Sequence, residues 1–284
     1  MRLVRLFIVI ILGLMVFSGC ARQSMNTSVS KDGNKVILDY CDYLKKLDTR
    51  ELNSISLAIN RFNQIKSQDK TINDDLYRYF YNIYNAVIDN YNDSVETEEE
   101  VRALDKDVLE KNGLVVIGGE AGTFLYGKAY FIPSVFGDYV TNEVKEFLEL
   151  TAEARFMRGE GYMFEDGYLT LTWDEVADLI VKYENYFFKY PHYDVETDAA
   201  LYNLDYYLYL FTQCLDTITF SYMSDDNGNE FELRDSYTRF FEIYPQSRYH
   251  PILKGYFEII NNNGFKFDEH ARQYLIKNGI EVMK

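Results

Sequence analysis

Histidine is scarce in this 284-residue chain: only His192, His250 and His270 are present, and their separations match no metal-ligand spacing. Two of them, His192 and His250, stand beside Pro191 and Pro251, where a surface role is the simplest reading. No Gly-x-Ser-x-Gly elbow and no His-Glu-x-x-His helix occurs, so the common serine-hydrolase and zinc-protease signatures are excluded. No enzyme, cofactor or metal is therefore expected. Positive charge is also in short supply, with 29 Lys and Arg against 45 Asp and Glu, a formal net charge of −16. Such a surface repels nucleic-acid phosphates and anionic lipid headgroups, so no nucleic-acid partner is expected. Tryptophan occurs once, against 26 tyrosines. Tyrosine rings are apolar on the body and polar at the tip, and they suit either a hydrated core or a binding face.

Long apolar runs are missing as well, except at one place. Met1 to Arg5 carries two positive charges, Leu6 to Phe17 is almost unbroken apolar sequence, and Ser18-Gly19 places small residues before Cys20. That order matches a secretory signal, and the run is shorter than the ~20 residues that a membrane-spanning helix needs. The stretch Phe17-Ser18-Gly19-Cys20 resembles the lipobox of bacterial lipoproteins, with Phe17 where that family usually has Leu. The resemblance implies removal of residues 1–19 as signal peptide, lipid attachment to the Cys20 sulfur with a diacylglyceryl group, and a second acyl chain on the new N-terminus. Two acyl chains anchor stably, since each buried methylene contributes ~0.8 kcal/mol. The expected location is the extracytoplasmic face of the cell membrane or outer membrane. Loss of Arg2 and Arg5 with the signal takes the net charge to −18. Residues 20–34 read as the lipidated cysteine and a flexible tether, polar from Ala21 to Asn34, with a reach of at most ~45 Å. Of the remaining cysteines, Cys41 and Cys214, an oxidising envelope permits a disulfide, while their apolar helical surroundings suit two buried thiols.

The expected fold is mainly α, built of antiparallel helical hairpins with a small β-hairpin insertion. Residues 35–113 form an N-terminal helical region. Val36, Tyr40, Tyr43, Leu44 and Leu47 share one helix face, and Leu52, Ile55, Ile59, Phe62 and Ile65 continue at helical spacing. A third helix over 72–91 carries Leu76, Phe80, Ile83 and Val87 beside Tyr77, Tyr81, Tyr84 and Ile88, which reads as core between helices. Glu96 to Glu100 reads as a solvated helix start, and a fourth helix is expected to stop at Gly113.

Residues 114–132 break the helical pattern. Leu114 to Ile117 is β-branched, Gly118-Gly119-Glu120-Ala121-Gly122 is turn-rich, and Thr123 to Ile132 is strand-like again. A phosphate loop is excluded, because no Gly-Lys-Ser/Thr follows and no helix starts there. Irregular insertions on helical frames often carry recognition, so Glu120, Phe124, Tyr126 and Tyr130 form the candidate interaction surface. The alternative is an edge that packs on its own helices.

Residues 133–284 form a C-terminal helical-repeat region. Its first helix is expected to expose Glu143, Glu146, Glu149 and Glu153 to solvent and to bury Val144, Phe147, Leu148 and Phe156. Thr172-Trp173-Asp174-Glu175 is a capping box. Tyr183-Glu184-Asn185-Tyr186-Phe187-Phe188-Lys189-Tyr190-Pro191 returns as Tyr237-Thr238-Arg239-Phe240-Phe241-Glu242-Ile243-Tyr244-Pro245, so each unit is a helix stopped at proline with another helix behind it. Tyr-Pro-Gln-Ser-Arg-Tyr at 244–249 resembles the junction of helical pairs in tetratricopeptide-like lipoproteins, including outer-membrane assembly lipoproteins. That resemblance implies an α-helical scaffold for protein contacts in the cell envelope, although Tyr186 and Phe240 stand where the family has a small residue. A ligand-binding lipoprotein for a glycan or peptide is the alternative. Asp225 to Glu230 reads as a polar turn, since a calcium loop would put its ligand positions on Met223 and Arg234.

Overall fold

The computed structural model describes residues 31–119, 122–159, 164–165, 168–192, 194–215 and 228–282. Cys20, Glu120 and the Asp225–Asn227 part of the polar turn lie outside them. The described fold is mainly α, with twelve helices and two small two-stranded β pairs. The chain divides into two compact units, one from residues 31–118 and 122–145, the other from residue 146 onward.

The first unit contains α1 (Lys31–Leu44), α2 (Asn53–Ile65) and α3 (Lys70–Ser94), then α4 (Glu98–Arg102), α5 (Lys106–Lys111), β1 (Leu114–Gly119), β2 (Gly122–Gly127) and α6 (Phe131–Phe136). Helices α1, α2 and α3 pack on one another. Their apolar stripes meet in a core of Tyr40, Leu44, Ile55, Phe62, Leu76, Phe80, Tyr84 and Val87, each buried. The Phe136 ring completes it, 4.5 Å from Phe62 and 4.8 Å from Phe80. Cys41 is a buried thiol in this core.

Polar side chains hold the connections between these helices. Asn112, fully buried, accepts from the Ser56 amide and hydroxyl and donates to Val108 O, so both ends of its amide are satisfied. Asn73 donates to Ser67 O and Tyr139 O, and the Asp74 carboxylate accepts the Thr141 N–H at 2.9 Å.

Three local features of the first unit differ from the sequence pattern. Residues 31–34, inside the stretch expected to be tether, are already helical in α1, and Gly33 is small enough to be buried there. The single helix expected before Gly113 is two, because the Asp105 carboxylate accepts from Asp107 N and Val108 N and restarts the helix. The second strand stops at Gly127, not Ile132. Residues 131–136 are helical, and Pro133 sits in the first turn, where a missing N–H costs nothing.

The second unit contains most of α7 (Asn142–Met157), the short pair β3 (Phe164–Glu165) and β4 (Tyr168–Leu169), then α8 (Trp173–Lys189), α9 (Val195–Gln213), α10 (Gly228–Ile243), α11 (His250–Asn262) and α12 (Glu269–Lys277). The capping box forms as expected, with Glu175 N donating to Thr172 Oγ1 and Thr172 N donating to the Glu175 carboxylate at 2.8 Å. Helix α8 packs against α9 and α10, α10 against α11, and α11 against α12. This is a helical-repeat arrangement.

Helix α7 buries Val144, Phe147 and Leu148 as expected, but Phe156 is 59% exposed near its end. Glu146 and Glu153 do not form a solvated face. They pair with Lys189 and Lys182 on α8, each at 2.7 Å.

Tyrosine supplies much of the buried volume in both units. Burial pushes the hydroxyls of Tyr40, Tyr183, Tyr237 and Tyr256 well above the ordinary value of 10.0, because the phenolate is poorly solvated there. Below pH 10 both folded and unfolded chains keep these protons, so stability is insensitive to them. Above it the unfolded chain releases protons first and stability falls. The melting temperature is therefore expected to be flat with respect to these groups up to about pH 9 and to drop steeply above about pH 10. Tyrosinate absorbance should rise together with the loss of helical circular dichroism; titration of these tyrosines while the helices persist would contradict this.

Candidate functional site

Two places in the fold hold the candidate residues: the outer face of the β1–β2 hairpin and the junction between the repeated helices. The hairpin is built against α3 and α4 by side chains that satisfy its backbone. Tyr84 donates its hydroxyl to Gly113 O at 2.7 Å, and Lys128 N donates to the same oxygen. Gly113 has φ +62°, and a Cβ there would run into the Phe131 ring. Gly127 faces the Tyr84 ring so closely that a Cβ would lie 2.3 Å from the hydroxyl oxygen.

The Lys128–Gly113 bond sets the register of the hairpin. Counting from it toward the two-residue turn puts Val115 opposite Tyr126 and Ile117 opposite Phe124, as hydrogen-bonded pairs. Val116 then faces Leu125, and Gly118 faces Thr123. Burial alternates with this register on β2, where Thr123 and Leu125 are buried and Phe124 and Tyr126 half-exposed; on β1 Leu114 is buried while Val115, Val116 and Ile117 are all half-exposed. At the inner face Arg102 donates to Thr123 Oγ1 at 2.6 Å and to Glu98, and Thr123 donates to the same Glu98 carboxylate at 2.8 Å.

Of the sequence-derived surface, Phe124 and Tyr126 share this outer face. Tyr130 is 47% exposed but sits at the start of α6, beyond the strand. Val115 and Ile117, not singled out from sequence, complete the face. Period-two alternation in Leu114 to Ile117 is hidden because all four residues are apolar.

The second place is the junction. The two nine-residue repeats occupy the ends of α8 and α10, and equivalent positions have the same burial everywhere except the second. Tyr183 and Tyr237 are buried, as are Tyr186 and Phe240, while Pro191 and Pro245 are exposed. The exception carries chemistry. Glu184 is only 3% exposed, and its carboxylate accepts from Ser247 Oγ and Arg248 N, both at 2.6 Å. Its equivalent Thr238 is exposed.

Glu184 thus receives the Tyr-Pro-Gln-Ser-Arg-Tyr turn of the second repeat. The rest of that contact runs along α8: Tyr244 donates to Asp178 at 2.6 Å, Arg239 pairs with Asp174, and the Arg248 guanidinium lies 3.3 Å from the Phe188 ring centroid. Burial, then the hydrogen bond to Asp178, pushes the Tyr244 hydroxyl up to about 12.

Among the described residues no group of three His, Cys, Asp or Glu side chains could hold a metal ion. No described helix is long and apolar enough to cross a membrane. Compared with protein-family models, curated proteins and solved structures, the chain matches none.

Glu184→Ala leaves the Ser247 hydroxyl and the Arg248 N–H without their acceptor and is expected to destabilise the chain by about 1–3 kcal/mol. Glu184→Gln keeps one acceptor and should lose less; equal losses in thermal denaturation would argue against the hydrogen bonds. Gly127→Ala forces Tyr84 off Gly113 and should cost about 1–3 kcal/mol. An unchanged melting curve for that variant would show that Tyr84 has room to move.

Proposed function

We propose that the chain is a lipid-anchored extracytoplasmic lipoprotein whose helical repeat is a non-enzymatic scaffold for a protein partner in the cell envelope. The observation that carries the reading is the repeat itself: two homologous helix ends with matching burial, joined through Glu184, in an arrangement where each helix packs on its neighbour. Stacked repeats of this kind present extended surfaces suited to macromolecular partners. The lipobox-like sequence ending at Cys20 supports the anchor, and the excess of carboxylates supports a partner other than nucleic acid.

Large side chains left outside the core mark where contact would be made. Tyr202 on α9 is 70% exposed, and Phe156 and Tyr130 are also turned out of the core. Such aromatic anchors dominate many protein interfaces.

The full chain, tagged at its C-terminus and captured from detergent-solubilised envelope, is expected to bring down a reproducible partner identified by mass spectrometry. Tyr202→Ala and Phe156→Ala should weaken that capture without altering the melting curve. Cys20→Ala should move the chain from the membrane to the soluble fraction. Absence of any partner, or membrane retention of the Cys20 variant, would overturn the corresponding half of the reading.

A further inference from the structure

The hairpin has two edges, and the fold treats them differently. On β2 the outward backbone groups of Leu125 are taken by one side chain: Asn92 Nδ2 donates to Leu125 O at 2.9 Å, and Leu125 N donates to Asn92 Oδ1 at 2.8 Å. A side-chain amide there does the work of a neighbouring strand, and α4 packs on the same strand. On β1 the register turns the N–H and C=O of Val116 and Gly118 outward. Among the described residues neither has a partner on that edge.

Exposed strand edges are normally blunted by charge, proline or a bulge. The Leu114–Gly119 strand has no charged residue and no proline, and β1 and β2 are of equal length. Val115 and Ile117 on its outer face are half-exposed beside Phe124 and Tyr126. An edge of this kind is satisfied by an extended chain, which supplies backbone donors and acceptors at strand spacing.

Charge distinguishes the possible occupants. Helix α4, which packs on β2, opens with Glu98, Glu99 and Glu100, all exposed, and Glu96 is exposed just before it. A Cβ at Gly122 would lie 3.8 Å from the Glu98 carboxylate, so Glu98, paired with Arg102, lies beside the first residue of β2. A second copy would bring the same acidic run and the same net charge of −16 to the contact.

We infer that the outer edge of β1 docks an extended, basic segment of a partner protein, which adds to the hairpin as a third strand. Its backbone meets the outward groups of Val116 and Gly118, its apolar side chains lie with Val115 and Ile117, and its cations are drawn by the chain's excess of carboxylates. The inference rests on the scaffold reading and names the chemistry of the segment that the scaffold holds.

The test is fluorescence anisotropy on the full chain in detergent, with a short labelled peptide of alternating valine and lysine as probe. The peptide should bind, with affinity falling as salt rises. Its counterpart N-methylated on one edge, and a valine–glutamate peptide, should each bind at least about tenfold more weakly, the loss expected for about 1.4 kcal/mol of backbone or charge interaction. Val116→Pro removes an outward N–H, a change that strand edges tolerate, and should weaken binding by a similar factor. The N-methylated peptide reads the same bonds from the other side and does not depend on that variant folding. No binding to the wild-type chain, or equal binding of the N-methylated peptide, would overturn the proposal. So would a concentration-dependent dimer that Val116→Pro abolishes, since the occupant would then be a second copy. Envelope capture separates the two readings: a partner retained by Val116→Pro preserves the scaffold and sinks the edge, and peptide binding without any captured partner faults the scaffold alone.

Discussion

Both units depend on burying tyrosine without leaving its hydroxyl unpaired. An apolar ring can be buried anywhere that space allows, but a phenol must also meet an acceptor, at a net gain of about 1 kcal/mol when it does and a larger cost when it does not. Five hydroxyls meet backbone carbonyls of neighbouring elements: Tyr40 at Ala58, Tyr84 at Gly113, Tyr237 at Phe211, Tyr256 at Thr212 and Tyr274 at Ile252. Phe211 and Thr212 lie in the last turn of α9, where helix carbonyls have no intrahelical donor. Tyrosines from α10 and α11 therefore cap α9, and each side removes the other's unsatisfied group. This ties the orientation of three helices to two hydrogen bonds.

The same logic joins the repeats. Helix α8 offers carboxylates at Asp174, Asp178 and Glu184, and the second repeat answers with Arg239, Tyr244, Ser247 and the Arg248 N–H. The partly exposed Arg239–Asp174 pair contributes little by itself. Glu184 differs because it is buried and its acceptor capacity is used by two donors at short range.

Much of this was legible in the sequence. Helical spacing identified the core faces of α2 and α3, the capping box placed the start of α8, and glycines marked stops at Gly113, Gly264 and Gly279, all of which have positive φ. The nine-residue repeat predicted two equivalent helix ends, and their burial matches. What escaped was tertiary in origin. Nothing local distinguishes Glu184 from an exposed helical glutamate; its role appears only when Ser247 and Arg248 are brought to it from more than sixty residues away. The outer hairpin face was half legible, since the aromatic members Phe124 and Tyr126 stand out, while Val115 and Ile117 lie in an unbroken apolar run. Phe156 fits a helical stripe by spacing, yet near the end of α7 it is left largely exposed.

By itself the sequence determined the class of the fold, the positions of most helices, the hairpin and the repeat, because each rests on short-range physics: side-chain periodicity, capping, and the backbone freedom of glycine and proline. Only the tertiary structure decided that Asn92 closes the edge of β2, which carboxylates are paired across helices, and which carbonyls the tyrosines reach. Those outcomes depend on the approach of residues far apart in the chain, and a hydrogen bond forms or fails over a few tenths of an ångström. Local pattern does not carry that distance.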